Sequence, residues 1–231
     1  MTPDAAPGQP AARASVVRDS LGVGVAVGAY GFAFGAASVA AGLSVLQSCL
    51  LSLLAFTGGT QFAVVGVVAG GGTLAAALGS GLLLASRNTL YAMRLSPLLR
   101  VRGPRRLAAA LGTIDESTAM AVAQRDPVLA RVAFWWTFAG VFVFWNLSTL
   151  LGAAGASAFG DPSRYGLDAV IPAAFLALLA PRLRSGAIER RVAVGGAAIA
   201  LGLIPLTPPG VPVLASTAAL LLATTVRRGR P

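Results

Sequence analysis

The residues best suited to chemistry lie within the apolar stretches of this sequence. Thr57-Gly58-Gly59-Thr60-Gln61 interrupt an uncharged run from about Leu46 to Gly70. Irregular backbone survives in hydrocarbon only where protein buries it or a cavity adjoins it, because each unpaired peptide group there is costly. Adjacent glycines relieve the backbone at a helix break, and Thr and Gln side chains can pair with freed carbonyls or with a ligand. The stretch therefore reads as the wall of a transport site or, equally, as a kinked packing helix with small residues at its contact face. Arg87 stands near the end of a second apolar run. An ionisable residue at that depth is a functional candidate by default, although its stem would also let it snorkel to the membrane boundary. Asp115 and Glu116 sit in a weakly apolar segment, Leu107 to Ala123. That segment fits an amphipathic surface helix with solvated acids, or a helix that turns one carboxylate toward a polar cavity. In the second case Asp115 or Glu116 could carry a coupling proton.

The composition sets the medium. The 231 residues have a mean hydropathy of +0.77, and 56% are hydrophobic while only 11% are charged. A soluble domain carries about 25% charged residues. The expected fold class is therefore an all-α integral membrane protein, a polytopic helical bundle with short, broken helices. All 18 basic residues are arginine, and the formal charge is +10. The arginines fall between apolar runs, where membrane orientation explains them better than nucleic acid does. There is no histidine, and Cys49 is the lone cysteine. His/Cys metal sites, Ser-His-Asp triads and a disulfide framework are thereby excluded, and no cofactor is expected. Cys49 lies in an apolar run and reads as a packing residue. An intramembrane aspartyl protease needs two facing aspartates, one in a Gly-x-Gly-Asp setting. Asp168 follows Gly166-Leu167 instead, and it falls on the opposite side of the expected topology from Asp115, so an enzyme is not expected.

The elements that must position these residues follow from the lengths of the apolar runs. Residues 1–18, rich in Pro and Ala, read as a disordered cytoplasmic tail. No apolar core precedes Ala12-Arg13-Ala14-Ser15, so this is not a signal peptide. Leu21 to Ala41, at about 20 residues, suffices for one crossing. Its Gly24/Gly28 and Gly31/Gly35 pairs let another helix approach closely. Arg13 and Arg18 put its start in the cytoplasm. After the turn Gly42-Leu43-Ser44 come two half-helices, Leu46–Thr57 and Thr60–Gly70, each about 17 Å long and too short to span alone. Leu74–Met93 is again full length. Arg94, Arg100, Arg102, Arg105 and Arg106 then cluster, and the positive-inside rule sets them in the cytoplasm. That orientation needs an even number of passages over Leu46–Gly70, which favours a hairpin of half-helices.

Val132–Ala156 is the most aromatic run, with Trp135 and Trp136 at the headgroup boundary and Trp145-Asn146 deeper. Asn146 reads as interhelical glue or as a site residue. Gly160–Asp168 reads as an external loop. Ala169–Ala180, Val192–Leu206 and Val211–Val226 are short runs. A cytoplasmic loop over Arg182–Arg191 and an external turn at Pro208-Pro209-Gly210 separate them, and residues 227–231 form a basic cytoplasmic tail. Gly35-Ala36-Ala37-Ser38 followed by Gly42-Leu43-Ser44 is loosely repeated as Gly152-Ala153-Ala154-Gly155 followed by Gly166-Leu167-Asp168. One transport domain over residues 19–226 is expected, with a two-fold internal repeat of halves at about 19–100 and 132–226, as in many transporters with broken helices.

In chain order stand Tyr30-Gly31-Phe32-Ala33-Phe34-Gly35, Gly42-Leu43-Ser44 and Ala55-Phe56-Thr57-Gly58-Gly59-Thr60-Gln61-Phe62. Arg87-Asn88-Thr89-Leu90-Tyr91 with Leu95-Ser96-Pro97, Thr113-Ile114-Asp115-Glu116, and Gly166-Leu167-Asp168 with Phe175 follow. Their order and spacing resemble the large subunit of the AzlC-type branched-chain amino acid permeases, the LIV-E exporter group, over about Arg18 to Val226. Many members carry Asn two positions before the arginine that matches Arg87. Here Ala85 takes that place and Asn88 follows the arginine. The resemblance implies export of branched-chain or related hydrophobic amino acids across a bacterial inner membrane by a multi-pass protein. It also implies a small multi-spanning AzlD-type partner subunit, and it adds Asn88 and Tyr91 to the site candidates.

An aliphatic amino acid is a zwitterion with an apolar tail. The half-helix from Thr60, or Arg87, could hold its carboxylate. Asp115, Glu116 or freed carbonyls could hold its ammonium, and Phe32, Phe34, Phe56 and Phe62 its side chain. The expected substrate-binding set is Thr57, Gly58, Gly59, Thr60, Gln61, Arg87, Asn88 and Tyr91, with Asp115 and Glu116 for proton coupling. The alternatives are a channel or permease for another small solute, and a non-transporting scaffold subunit.

Overall fold

Two long helices form the frame. A computed structural model describes residues 9–158, 170–208 and 210–221. The whole expected external loop, Gly160–Asp168, lies outside the described residues, as do the basic tail and the side chain of Phe175. α1 (Gln9–Gly28) and α2 (Tyr30–Ala40) join through Ala29, whose φ of −57° and ψ of −32° are helical. They make a single apolar rod over Pro10–Ala40 of 31 residues. Such a rod is about 46 Å long, well beyond an apolar core of about 30 Å. The second rod is α9 (Pro127–Ala158, 32 residues).

Helix thus begins well before Leu21, and the expected tail is helical from Gln9 onward. Val16 and Ser20 are buried there, and Ser20 Oγ donates to the Ala133 carbonyl of α9 at 3.5 Å. Packing on α9, which the local composition does not reveal, holds these extra turns.

The rods run parallel, because their contacts advance in step: Ser20 with Ala133, Gly24 with Gly140, Gly28 with Phe144, Gly35 with Thr149. The small-residue spacing read from the sequence is this seam. A Cβ on Gly24 would lie 2.8 Å from the Gly140 carbonyl carbon, and one on Gly35 would collide with the Thr149 carbonyl oxygen. Backbones this close gain dispersion and Cα–H···O contacts. The contact is also reciprocal: Gly35 abuts the carbonyl of Thr149, and Gly152 abuts that of Phe32. The exchanged pairs, Gly35/Gly152 and Phe32/Thr149, have the same separation along the chain. Parallel packing sets Arg13, Arg18, Arg125 and Arg131 at one end, which the positive-inside rule makes cytoplasmic.

The seam is testable. Overpacking costs about 1–3 kcal/mol even where side chains can shift, and at Gly35 the obstacle is backbone. Gly35→Leu should fail to give a monodisperse peak by size exclusion in detergent. Gly22→Leu should run as the parent does, because nothing lies within 4 Å of its Cβ position.

α3 (Val45–Leu54) and α4 (Gly59–Ala69) are the half-helices. A capping box starts α3: the Gln47 N–H donates to Ser44 Oγ at 3.2 Å, and the Ser44 N–H donates to Gln47 Oε1 at 2.8 Å. The break is Ala55–Gly58, slightly earlier than the sequence suggests, and Gly59-Thr60-Gln61 form the first turn of α4. Gly58 sits at φ +57°, ψ −84°, a conformation that only glycine adopts without strain. α3 packs on α2 and α9, while α4 packs on α2 and on α5 (Leu74–Ala85), and the halves do not lie along each other. The hairpin favoured by the arginine pattern is therefore not a packed pair; the halves share α2 and otherwise lie on different neighbours, α9 for α3 and α5 for α4.

α5 is capped by Thr73, whose Oγ1 accepts from the Ala76 N–H at 3.2 Å. It leads through Ser86 into α6 (Arg87–Leu99), so this run extends beyond Met93 and includes Pro97. The segment over Leu107–Ala123 is neither one surface helix nor one dipping helix. It divides into α7 (Arg105–Leu111) and α8 (Asp115–Val122) at Gly112-Thr113-Ile114. α10 (Val170–Ser185), α11 (Ala187–Leu203) and α12 (Val211–Ser216) follow, with a 3-10 turn over Thr217–Leu220. The loop expected over Arg182–Arg191 is instead helical on both sides of Gly186. One extended residue there, at φ −174° and ψ 168°, is enough to redirect the chain.

Phe34, Phe56, Phe62, Val141 and Trp145 form the heart of the core between rods and half-helices. Leu54, Leu74, Leu82, Leu90 and Leu147 face outward. Large exposed aliphatic residues in such number belong to a surface solvated by lipid.

Candidate functional site

Arg87 joins three irregular points of the fold. It opens α6 just after Ser86, and its side chain reaches the other two. Nη1 lies 2.8 Å from Asp115 Oδ2, and Nη2 donates to the Thr57 carbonyl at 3.4 Å. Thr57 belongs to the α3–α4 break. Asp115 opens α8, where the helix N-terminus favours a carboxylate. The two charged side chains are 36% and 37% exposed, so the pair borders a space instead of lying in solid protein.

That space is a cavity of about 520 Å³, inside the range of about 300–1,000 Å³ common for small-molecule sites. Thr57, Gly58, Gly59, Arg87, Asp115 and Glu116 line its polar side. Phe56, Phe62, Val141 and Trp145 are prominent on its apolar side, and α10 adds Leu179, Pro181 and Arg182. Val27, Tyr30, Val141 and Trp145 fall near the middle of the two rods, the depth at which secondary transporters bind their substrates. No side chain caps the N-terminus of α4, whose first residue, Gly59, borders the cavity. Thr57 Oγ1, Arg87 Nε, Asp115 Oδ1 and Trp145 Nε1, all on wall residues, have no hydrogen-bond partner among the described residues.

The structure gathers six of the predicted residues on this wall and leaves four off it. Gln61 lies behind the wall, fully buried. Its Nε2 donates to the carbonyls of Leu51 and Ser52 at 3.3 and 3.2 Å. It thus closes the C-terminal end of α3, where it shares the Leu51 carbonyl with the Ala55 N–H and takes up the Ser52 carbonyl that the break leaves open. Thr60 turns toward α5, with its Cγ2 3.4 Å from the Cβ position of Gly81. Asn88 is half-buried and off the wall. Tyr91 is also off the wall, but its side chain interacts with Asp115 and feels the charge of Arg182.

Among the expected apolar contacts, Phe56 and Phe62 line the cavity. Phe34 supports them from behind, stacked on Trp145 with ring centres 6.1 Å apart and edge-on to Phe62 at 5.5 Å. Phe32 is 52% exposed on the outer surface. Asn146 serves as interhelical glue: its Oδ1 accepts from Ser52 Oγ at 2.7 Å, linking α9 to α3. Sequence reasoning misses Trp145, Tyr30 and Arg182. The signals for the first two are depth in a span and membership of an aromatic motif. Arg182 is hidden among the arginines of an expected loop.

A polytopic helical membrane protein with a mid-depth cavity between broken helices is the class these features define. The AzlC protein family matches residues 22–159, from the first rod through α9. An uncharacterized membrane protein of Archaeoglobus fulgidus is 30% identical over 194 residues, 82% of this chain and 84% of the relative. The inner membrane protein YgaZ of Escherichia coli is 28% identical over 186 residues, 77% of this chain and 76% of its own length. The chain belongs to the AzlC family and is an integral membrane protein. No solved structure matches it. The matched region holds every residue of the cavity wall except Leu179, Pro181 and Arg182.

Proposed function

We propose that this chain is the large subunit of an exporter of branched-chain or related hydrophobic amino acids, working with a small AzlD-type membrane subunit. The observation that carries the reading is the Arg87–Asp115 pair set against an aromatic and aliphatic wall in one cavity. An aliphatic amino acid offers the complementary three features. Its carboxylate suits Arg87 and the N-terminus of α4. Its ammonium suits Asp115 and Glu116. Its tail suits Phe56, Phe62, Val141 and Trp145. A zwitterion can insert between Arg87 and Asp115, replacing each partner with a group of the same sign, so charge stays balanced throughout. Without substrate the two residues neutralise each other, which lowers the cost of charge at membrane depth. The outward direction and the partner subunit rest on the family resemblance alone.

Cells preloaded with labelled leucine, valine, methionine and serine test the reading, with the chain expressed alone and with its small subunit. The expected result is efflux of the three hydrophobic amino acids and retention of serine. Efflux of all four would make the cavity a channel. Efflux of none with the partner present would leave a scaffold subunit.

A further inference from the structure

We infer that Arg182 selects the substrate carboxylate at the mouth of the cavity, receiving it before Arg87 does. This deepens the amino-acid reading of the cavity and rests on it.

Two cations line the wall, Arg87 and Arg182. The charge of Arg87 is matched by Asp115 at 2.8 Å. Among the described residues, no carboxylate pairs with Arg182. An arriving anion therefore meets one guanidinium held by Asp115 and one, Arg182, that no described carboxylate contacts, with Glu116 the other carboxylate of the wall.

The position of Arg182 suits capture. It stands in the last turn of α10, just beyond Pro181, with its side chain exposed. It shares the cavity wall with Arg87, Asp115 and Glu116. The chain beyond α10 carries Arg184, Arg190 and Arg191, and the positive-inside rule makes that end cytoplasmic. The rim therefore faces the side from which an exporter loads. An unpaired guanidinium at a low-dielectric opening attracts a carboxylate and repels an amine that has lost one. It separates amino acids from amines or amides with the same tail.

The competing role for Arg182 is structural, since a cation in the last turn of a helix complements the helix dipole. Arg184 provides the matched control. It occupies the same last turn and carries the same charge, but it does not line the cavity.

The test measures binding of labelled leucine to the full chain purified together with its small subunit in nanodiscs, with leucinamide, which lacks the carboxylate charge, as competitor. The quantity read is the ratio of leucine affinity to leucinamide affinity. Arg182→Gln should lower that ratio about tenfold, chiefly by weakening leucine, as expected for a lost hydrogen bond to a charged group. Arg182→Lys should retain most of the ratio, and Arg184→Gln should leave it unchanged. A ratio within about twofold of the parent in Arg182→Gln, or an equal fall in Arg184→Gln, overturns the assignment. A well-folded parent that binds neither ligand overturns the amino-acid reading itself, a different result from a parent that binds leucine with a ratio indifferent to Arg182.

Discussion

Arg87→Ala is expected to abolish efflux of hydrophobic amino acids and to destabilise the protein, and a second change, Asp115→Ala, is expected to restore the stability alone. Removing one partner of a buried ion pair leaves an uncompensated charge and costs about 3–5 kcal/mol. Here both side chains keep about a third of their exposure, so water screens the orphaned carboxylate and a loss of about 1–2 kcal/mol is expected. The double variant has no orphan and should unfold near the parent temperature in detergent. Its efflux should stay at background, because both charged ligands of the zwitterion are gone. Efflux from Arg87→Ala at the parent rate would remove Arg87 from the site and leave it a structural anchor. Asp115→Asn separates binding from coupling. Proton-driven efflux that persists in this variant would exclude Asp115 as the coupling residue.

Gln61→Ala should have the second large effect, on stability and not on substrate affinity. Gln61 is fully buried and donates to two carbonyls at the end of α3. The Leu51 carbonyl keeps the Ala55 N–H at 3.0 Å, but the Ser52 carbonyl left without a donor costs about 1–3 kcal/mol, and the lost side-chain volume adds a cavity term. A total of about 2–4 kcal/mol is expected from these terms. Gln61→Met replaces the volume but not the donor, so its difference from the parent reads the hydrogen bonds and its difference from Gln61→Ala reads the cavity. Thermal unfolding and leucine binding on the same preparations decide the role. A rise in leucine Kd of about tenfold, with the unfolding temperature unchanged, would make Gln61 a ligand after all.

Gln61 also marks where sequence reasoning stops. The break around Gly58 and the need for polar side chains near it are legible, because hydrocarbon tolerates few irregular backbones. Which polar side chain serves a ligand and which serves the broken helix is not legible, since an amide suits both. Gly24, Gly28, Gly31 and Gly35 disclose their seam because only a close helix rewards that spacing. They do not name the partner, which lies more than a hundred residues away on α9. Arg87 and Asp115 are each readable as buried or as surface residues, and only the folded chain makes them a pair. Arg182 is misread because arginine density reports the side of a membrane, not depth. The same arginine-rich composition is read as a loop over Arg182–Arg191, where helix needs only Gly186 to turn. Residues 9–18 look like a tail because their helix depends on α9 and not on their own pattern.

The reciprocal glycine seam bears on how the cavity could change the face to which it opens. In transporters built from inverted repeats, the two halves trade conformations about an axis in the membrane plane, and that trade turns inside into outside. The rods here are parallel, and the axis that exchanges Gly35 with Gly152 and Phe32 with Thr149 runs along them. Trading their conformations would return the same face to the same solution. Their backbones also touch, which leaves little room for sliding. On the proposed transport reading the two rods are the stator, and the change of access falls to the short elements that pack on them, α3, α4 and α10.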